Sequence, residues 1–336
     1  MNVVAHSTHK FPLLLRREYW EHRSGFLLAP LIAGGVFLLL SLMGFGVGEM
    51  AARRASGNFD IGDSQVQVNG IDFSAITANM DASDLEKLGH GIDISLMMAA
   101  SWPFIVLAFV VFFYCLGALY DERKDRSVLF WKSLPLSDTQ TVLSKVATAT
   151  VVAPLFAIGA AMLTMLGFLL VIGVFVMVHG GNPLTMVFGP ASPLAVAGQL
   201  LAMLPIYALW ALPAVGWLLL CSAWAKGKPF LWAIMIPLFA GIFVSWFDLM
   251  QLFDLPSAWF WQNIVGRSLL SAVPGSWLTL VDLGESGFHG VDSLGSLVAL
   301  RTSYATLLTP QLWLGVIAGA AMILGAIRLR RWRDEG

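Results

Sequence analysis

Charged side chains are scarce in this sequence. Asp, Glu, Lys and Arg make up 12% of its 336 residues, about half the share of an ordinary soluble domain, so a water-soluble enzyme of this size is not expected. The net charge of −1 at pH 7 gives no overall attraction to nucleic acid. The two cysteines, Cys115 and Cys221, are too few for a disulfide scaffold.

Motifs for nucleotide binding, metal binding and catalysis are also missing. The only Gly-Lys pair, Gly227-Lys228, belongs to no phosphate-binding loop, and the six histidines are dispersed along the chain. Residues 284–287 resemble the Gly-x-Ser-Gly of intramembrane serine proteases, so a membrane-embedded hydrolase using Ser286 is one hypothesis. An ordinary turn is favoured, because no histidine lies in an apolar run to act as a base. We therefore expect no catalytic residue, metal or cofactor in this chain.

Long apolar runs dominate instead. Hydrophobic residues form 57% of the chain, and the mean hydropathy is +0.76. Six runs contain no Asp, Glu, Lys or Arg and reach the length of about 20 residues that an α-helix needs to cross a bilayer. They are residues 25–47, 94–119, 146–178, 193–224, 230–246 and 311–327. The pattern predicts an all-α integral membrane protein, with six transmembrane helices in a single domain, 1–336. Kinks are predicted at Pro103, Pro154, Pro205 and Pro213.

A further stretch, residues 259–280, is moderately apolar but carries Asn263, Arg267 and Pro274 near its middle. An arginine at the centre of a span raises the free energy of insertion by about 2.5–3.5 kcal/mol. We therefore predict short re-entrant or interfacial helices in an outer loop, residues 248–310, and not a seventh span.

The distribution of positive charge predicts the topology. Fifteen of the 20 Lys and Arg residues lie before the first run, after the last, or in the connections that follow the second and fourth runs. Short cytoplasmic loops are enriched in Lys and Arg, so both termini are expected in the cytoplasm.

Residues 9–23 precede the first run and have the pattern of an amphipathic helix. Phe11, Leu15, Tyr19 and His22 form the apolar stripe, Arg16, Arg17, Glu21 and Arg23 lie off it, and Trp20 suits the headgroup layer. The candidate residues of this helix are Arg16, Arg17, Glu18 and Trp20. The pattern predicts an elbow helix in the cytoplasmic interface, and a short anchoring turn is the alternative.

The first outer loop, residues 48–93, is the largest polar segment. Asn69-Gly70 stands between two alternating runs, a spacing that predicts a β-hairpin, and a short helix is expected at residues 83–88. The loop could serve as a lid over an outer opening or as a spacer.

Residues 120–145 connect the second and third runs. Seven polar or charged residues open the segment, an apolar cluster follows, Pro135 interrupts it, and Ser137 with Gln140 forms a capping box that starts a helix. The apolar cluster consists of Val128, Leu129, Phe130 and Trp131. Because a solvated loop does not need such a cluster, we predict a short helix that either lies on the membrane or docks into a partner.

The order of these elements resembles the permease subunits of bacterial ABC transporters of the type-2 exporter class, over nearly the whole chain. The resemblance rests on RREYWE at residues 16–21 before the first span, and on DERKDRS at residues 121–127 with SLPLS at residues 133–137. The long first outer loop and the extended region before the sixth span depart from the family pattern.

The resemblance implies a division of labour between subunits. A separate ATPase would bind ATP and Mg²⁺, and residues 120–145 would be the coupling helix that docks on it, with Glu122 at the acidic opening position and residues 128–131 as the docked face. A second permease copy would complete the pathway in the bacterial inner membrane, surrounded by lipids. The uncharged spans favour an amphipathic or lipid-like cargo. The alternative function is a non-transporting scaffold or sensor that docks a cytoplasmic partner.

Overall fold

In the part of the chain that the structure describes, six helices are long and apolar enough to cross a membrane, so the chain is a multi-pass membrane protein. The structure is a computed structural model, and it describes residues 10–55, 58–61, 64–67, 81–127, 136–251, 256–280 and 300–332. Residues 259–280 do not form a spanning helix within this part of the chain, as the sequence predicted.

The first half of the described chain contains six helices and two short strands. They are α1 (Lys10–Arg23), α2 (Ala29–Ala55), β1 (Asn58–Ile61), β2 (Ser64–Gln67), α3 (Ala82–Gly117), α4 (Tyr120–Lys124), α5 (Asp138–Ala147) and α6 (Ala153–Val178). The second half contains α7 (Pro193–Trp210), α8 (Leu212–Trp224), α9 (Pro229–Leu249), α10 (Ser257–Phe260), α11 (Arg267–Leu270), α12 (Leu300–Ala305) and α13 (Pro310–Trp332).

Two of the long helices continue through a π-helical turn that precedes a proline. One such turn, Thr148–Val152, joins α5 to α6 just before Pro154, and another, Ser24–Leu28, joins α1 to α2 just before Pro30. Proline has no N–H to donate to the preceding turn, and a π turn is one way to accommodate the altered hydrogen-bond ladder. The predicted third span therefore continues a helix that already begins at Asp138.

The predicted fourth span, residues 193–224, is not one helix. It divides at Ala211 into α7 and α8, because Pro213 cannot donate the hydrogen bond that would continue the ladder. The spanning candidate in this region is Leu184–Trp210, and α8 is a shorter apolar helix. Pro103 and Pro205, where kinks were also predicted, lie inside helices that continue past them.

The first outer loop is shorter than predicted, since α2 extends to Ala55 and α3 begins at Ala82. The predicted helix at residues 83–88 is the first part of α3. In the loop, β2 pairs antiparallel with β1, which lies upstream of it, with Ile61 opposite Ser64. The predicted turn at Asn69-Gly70 lies outside the described residues.

The helices pack in two groups. In one, α2, α3 and α6 contact each other, and in the other α8 packs along α13, with α3 touching both groups. Close approach of α8 and α13 depends on glycine: a Cβ at Gly216 would lie 2.6 Å from the carbonyl oxygen of Gly319. The Gly315-xxx-Gly319 spacing thus serves packing within the chain.

The ends of the helices contact each other at two opposite ends of the molecule. At one end, which we call the charged end, α1, α4 and the start of α5 meet the last turns of α8 and α13. At the opposite end, Glu49 of α2 contacts His179 after α6, and Asp93 of α3 accepts a hydrogen bond from the backbone N–H of Ser192 at 2.9 Å.

Candidate functional site: a buried charge network at the charged end

Four charged side chains from four helices are buried together at the charged end. Glu18 of α1 is completely buried, and Glu122 of α4, Lys145 of α5 and Arg330 of α13 are each less than one-tenth exposed. These residues come from both ends of the sequence and from the connection between the second and third spanning helices. The cluster therefore joins segments that are distant along the chain.

Lys145 lies at the centre of this network. Its Nζ is 3.0 Å from Oε1 of Glu18 and 3.0 Å from Oε1 of Glu122. The remaining oxygen of Glu18 accepts a hydrogen bond from the Tyr114 hydroxyl of α3 at 2.8 Å. One ammonium group thus connects α1 to α4, while Tyr114 adds α3.

Arg330 makes the second branch of the network. Its Nη1 donates to Oε2 of Glu122 at 2.5 Å, and its Nε donates to Oδ1 of Asp138 at 3.2 Å. Arg17 of α1 approaches Glu122 from another side, with its Nη2 3.5 Å from Oε1. Arg17 also pairs with the exposed Glu21, with its Nη2 3.3 Å from Oε2. Each buried carboxylate of the network therefore has at least one cationic partner.

The local sequence positions the carboxylate at the start of α5. The Ser137 hydroxyl accepts the backbone N–H of Gln140 at 3.2 Å and the Gln140 side chain accepts the N–H of Ser137, so the predicted capping box is confirmed. It begins α5 at Asp138, which brings that carboxylate to Arg330.

Ser222 of α8 fixes α4 by hydrogen bonds to the backbone. Its Oγ accepts the backbone N–H groups of Leu119 and Tyr120, each at 3.0 Å, and donates to the Leu116 carbonyl at 2.6 Å. Arg123 adds donor bonds to the carbonyls of Ser222 and Ala225 at 2.6 and 2.9 Å. The start of the connection between α3 and α5 is therefore held firmly against α8.

The structure brings three of the predicted site residues together: Arg17, Glu18 and Glu122 all belong to the network. Arg16 and Trp20 are exposed on the other face of α1. The buried face of α1 is formed by Leu14 and Glu18, whereas Phe11, Leu15, Tyr19 and His22 of the predicted stripe are partly buried. The apolar cluster of Val128, Leu129, Phe130 and Trp131 lies outside the described residues.

Sequence reasoning missed two of the three cations of the network, Lys145 and Arg330. Lys145 and Arg330 were counted only as positive charges flanking the third and sixth spans, and Tyr114 and Asp138 were not singled out. Their positions near the ends of apolar runs were the only available signal. Their pairing depends on how distant helices meet.

A metal site or thiol site finds no support in the described part of the chain. No group of three or more His, Cys, Asp or Glu side chains there could hold a metal ion. Both cysteines are buried in the helices.

No protein-family model matches the chain, and no curated protein or solved structure matches it at a significant level.

Proposed function

We propose that this chain is the permease subunit of an ATP-driven exporter in a bacterial inner membrane, and that a separate ATPase subunit supplies the energy. The observation that supports this most directly is the buried charge network. It ties Glu122, where the 120–145 connection begins, to α1, α5 and α13 at distances of 2.5–3.5 Å. A force applied to this connection would reach three other helices at once.

In this proposal residues 120–145 are the coupling segment. A partner can shift the equilibrium of a helical bundle only through contacts that differ between its states. The apolar residues 128–131 would dock on the ATPase, and the network would pass the displacement to α1, the elbow helix, and to α13. Both termini would then lie in the cytoplasm, beside the ATPase.

A second copy of the chain would complete the transport pathway, and an amphipathic or lipid-like cargo suits its walls. An apolar cavity of about 460 Å³ lies between α3, α6, α7 and residues 273–278. Met98, Trp102, Tyr207 and Trp277 are among its lining residues, and its described lining carries no charged side chain. An acyl chain or another apolar group would be accommodated there without loss of polar hydration.

The proposal is tested by purifying the tagged full-length chain from its native membranes in a mild detergent and identifying co-purifying proteins by mass spectrometry. We expect a stoichiometric ATPase that contains a phosphate-binding loop. Replacing Phe130 with Asp should abolish its recovery, because a buried carboxylate without a partner strongly opposes docking.

The control is Trp332→Asp, which places the same charge at an exposed aromatic residue of the charged end and should leave the ATPase bound. Recovery of the ATPase with a correctly inserted Phe130→Asp variant would contradict the assignment of the coupling segment. A chain that purifies alone, or with a signalling protein, would instead support the scaffold or sensor.

A further inference from the structure

Arg267 is a buried charged residue that does not belong to the charge network. It begins α11, in the segment between α9 and α13, and only 8% of its surface is exposed. Its Nη1 donates to the backbone carbonyl of Gln311. Its Nε and Nη2 are buried and have no hydrogen-bond partner, and no described carboxylate forms an ion pair with it.

The surroundings hold this guanidinium in place without neutralising it. Its Cζ lies 4.1 Å from the centre of the Trp210 ring, in a cation–π contact. On the other side it packs against Gly315, where any Cβ would collide with the guanidinium group. Burial lowers the pKa of Arg267, yet arginine keeps its charge in proteins. Arg267 is therefore a buried, incompletely bonded cation, and it also lines a cavity.

This cavity of about 640 Å³ lies between α8, α9, α10 and α13, and its volume is within the size range of small-molecule sites. Its walls are largely apolar, and Trp217, Ile236, Leu314 and Met322 are among its lining residues. The described lining contains no Asp or Glu. The cavity thus combines one uncompensated positive charge with a surface that suits hydrocarbon.

We propose that this cavity binds an anionic amphiphile, with its phosphate or carboxylate group beside the Arg267 guanidinium and a hydrocarbon chain along the apolar wall. Arginine is suited to this because its planar donors match oxyanions in geometry. The proposal rests on Arg267 and its cavity, and it holds whether or not the chain transports a substrate.

The proposal is tested by native mass spectrometry of the purified full-length protein, titrated separately with dioleoylphosphatidylglycerol, oleate, dioleoylphosphatidylcholine and inorganic phosphate. We expect one equivalent of the phosphatidylglycerol or of oleate to bind, with much weaker binding of the zwitterionic lipid. Arg267→Gln should lower the affinity for the anionic amphiphile by about tenfold or more, as expected for loss of a hydrogen bond to a charged group.

Two further variants separate the head-group and chain contributions. Arg301→Gln removes an exposed arginine of α12 and should leave binding unchanged. Ala318→Trp fills the cavity from its exposed side while Arg267 stays in place, and it should weaken binding of the lipid. If Arg267→Gln does not fold, the affinities of Ala318→Trp and Arg267→Lys for the anionic lipid test the proposal in its place.

Three results would overturn the proposal: equal affinity for the zwitterionic and anionic lipids, unchanged lipid binding in a folded Arg267→Gln or Ala318→Trp variant, or tight binding of inorganic phosphate alone. The last result would identify a site for the free anion without a role for the apolar wall. Loss of the ATPase partner in the pull-down would leave this inference untouched, because lipid binding is measured on the isolated chain.

Discussion

At the scale of single residues, Lys145 contacts both buried carboxylates of the charged end, Glu18 and Glu122. Replacing it with Met leaves Glu18 and Glu122 buried without their shared cation, and breaking a buried pair in this way costs about 3–5 kcal/mol. We expect Lys145→Met to lower the free energy of unfolding by about this amount, as measured by titrating the protein from a mild detergent into sodium dodecyl sulfate.

Lys226 provides the matched control for this prediction, because it lies exposed just after α8 at the same end of the molecule. Lys226→Met should change the free energy of unfolding by less than about 0.5 kcal/mol. The double variant Lys145→Met with Glu18→Gln should recover part of the loss, since it also removes the orphaned carboxylate. Equal stabilities of Lys145→Met and Lys226→Met would show that the network does not stabilise the fold.

The sequence gives the local part of this site but not its pairing. The spacing of Ser137 and Gln140 is enough to predict the start of α5, because a capping box involves only neighbouring residues. The bond between Arg330 and Glu122 joins residues 208 positions apart, and no local pattern encodes which carboxylate an arginine meets. Glu122 was predicted only through the family resemblance, and Lys145 only as a positive charge beside the third span.

At the scale of elements, the length of the apolar runs predicted where the long helices lie. The sequence did not predict how each proline would affect its helix. Pro154 and Pro213 both stand in apolar runs. The first follows a π turn in a continuous helix and the second follows a break between α7 and α8. The difference depends on whether neighbouring groups satisfy the freed carbonyls, which is a property of the packed structure.

The buried face of α1 shows the same limit. An apolar stripe of four residues predicted a helix that lies in the membrane interface, yet the most buried position of this helix is occupied by the carboxylate of Glu18. Hydrophobic periodicity assumes that charged residues face water. Glu18 is an exception because Lys145 and Tyr114 contact both of its oxygens.

The contact between α2 and α6 at the opposite end makes stability depend on pH. His179 Nδ1 donates to the Phe175 carbonyl at 2.7 Å, and its Nε2 donates to Glu49 at 2.5 Å. The bond to the Phe175 carbonyl, followed by the one to Glu49, raises the pKa of His179 above its usual value. Stability gained from a raised histidine pKa is fully present below the unfolded-state value, about 6.5, and is lost as pH rises through the higher folded-state value.

We therefore expect wild type to unfold at a higher temperature than His179→Gln at about pH 6, and the difference to shrink towards zero by about pH 9. Thermal unfolding of both proteins across this range measures the effect. His90→Gln is the control, because His90 is exposed on α3 at the same end, and it should follow wild type throughout. A difference that stayed constant with pH would show that His179 contributes as a neutral side chain.

At the scale of the whole molecule, residues that the sequence assigns to opposite sides of the membrane lie at opposite ends of the structure. Lys226 lies next to Ala225, whose carbonyl accepts a bond from Arg123 at the charged end. Lys87 lies near the start of α3, before Asp93, which contacts Ser192 at the opposite end. Arg17, Arg123, Lys145 and Arg330 also belong to the charged end, which holds both α1 and the last turn of α13. By the positive-inside rule, we expect that end to lie in the cytoplasm.

Labelling with a membrane-impermeant maleimide tests this orientation, and the two native cysteines give a low background because both are buried. Lys87→Cys introduces a thiol at a side chain that is 79% exposed, and it should react in intact spheroplasts. Lys226→Cys should react only after the membrane is permeabilised, because its end would face the cytoplasm. Reaction of Lys226→Cys in intact spheroplasts, with protection of Lys87→Cys, would invert the topology. The charge network would then lie outside the cell, where no ATPase could act on it, and the exporter proposal would fail with it.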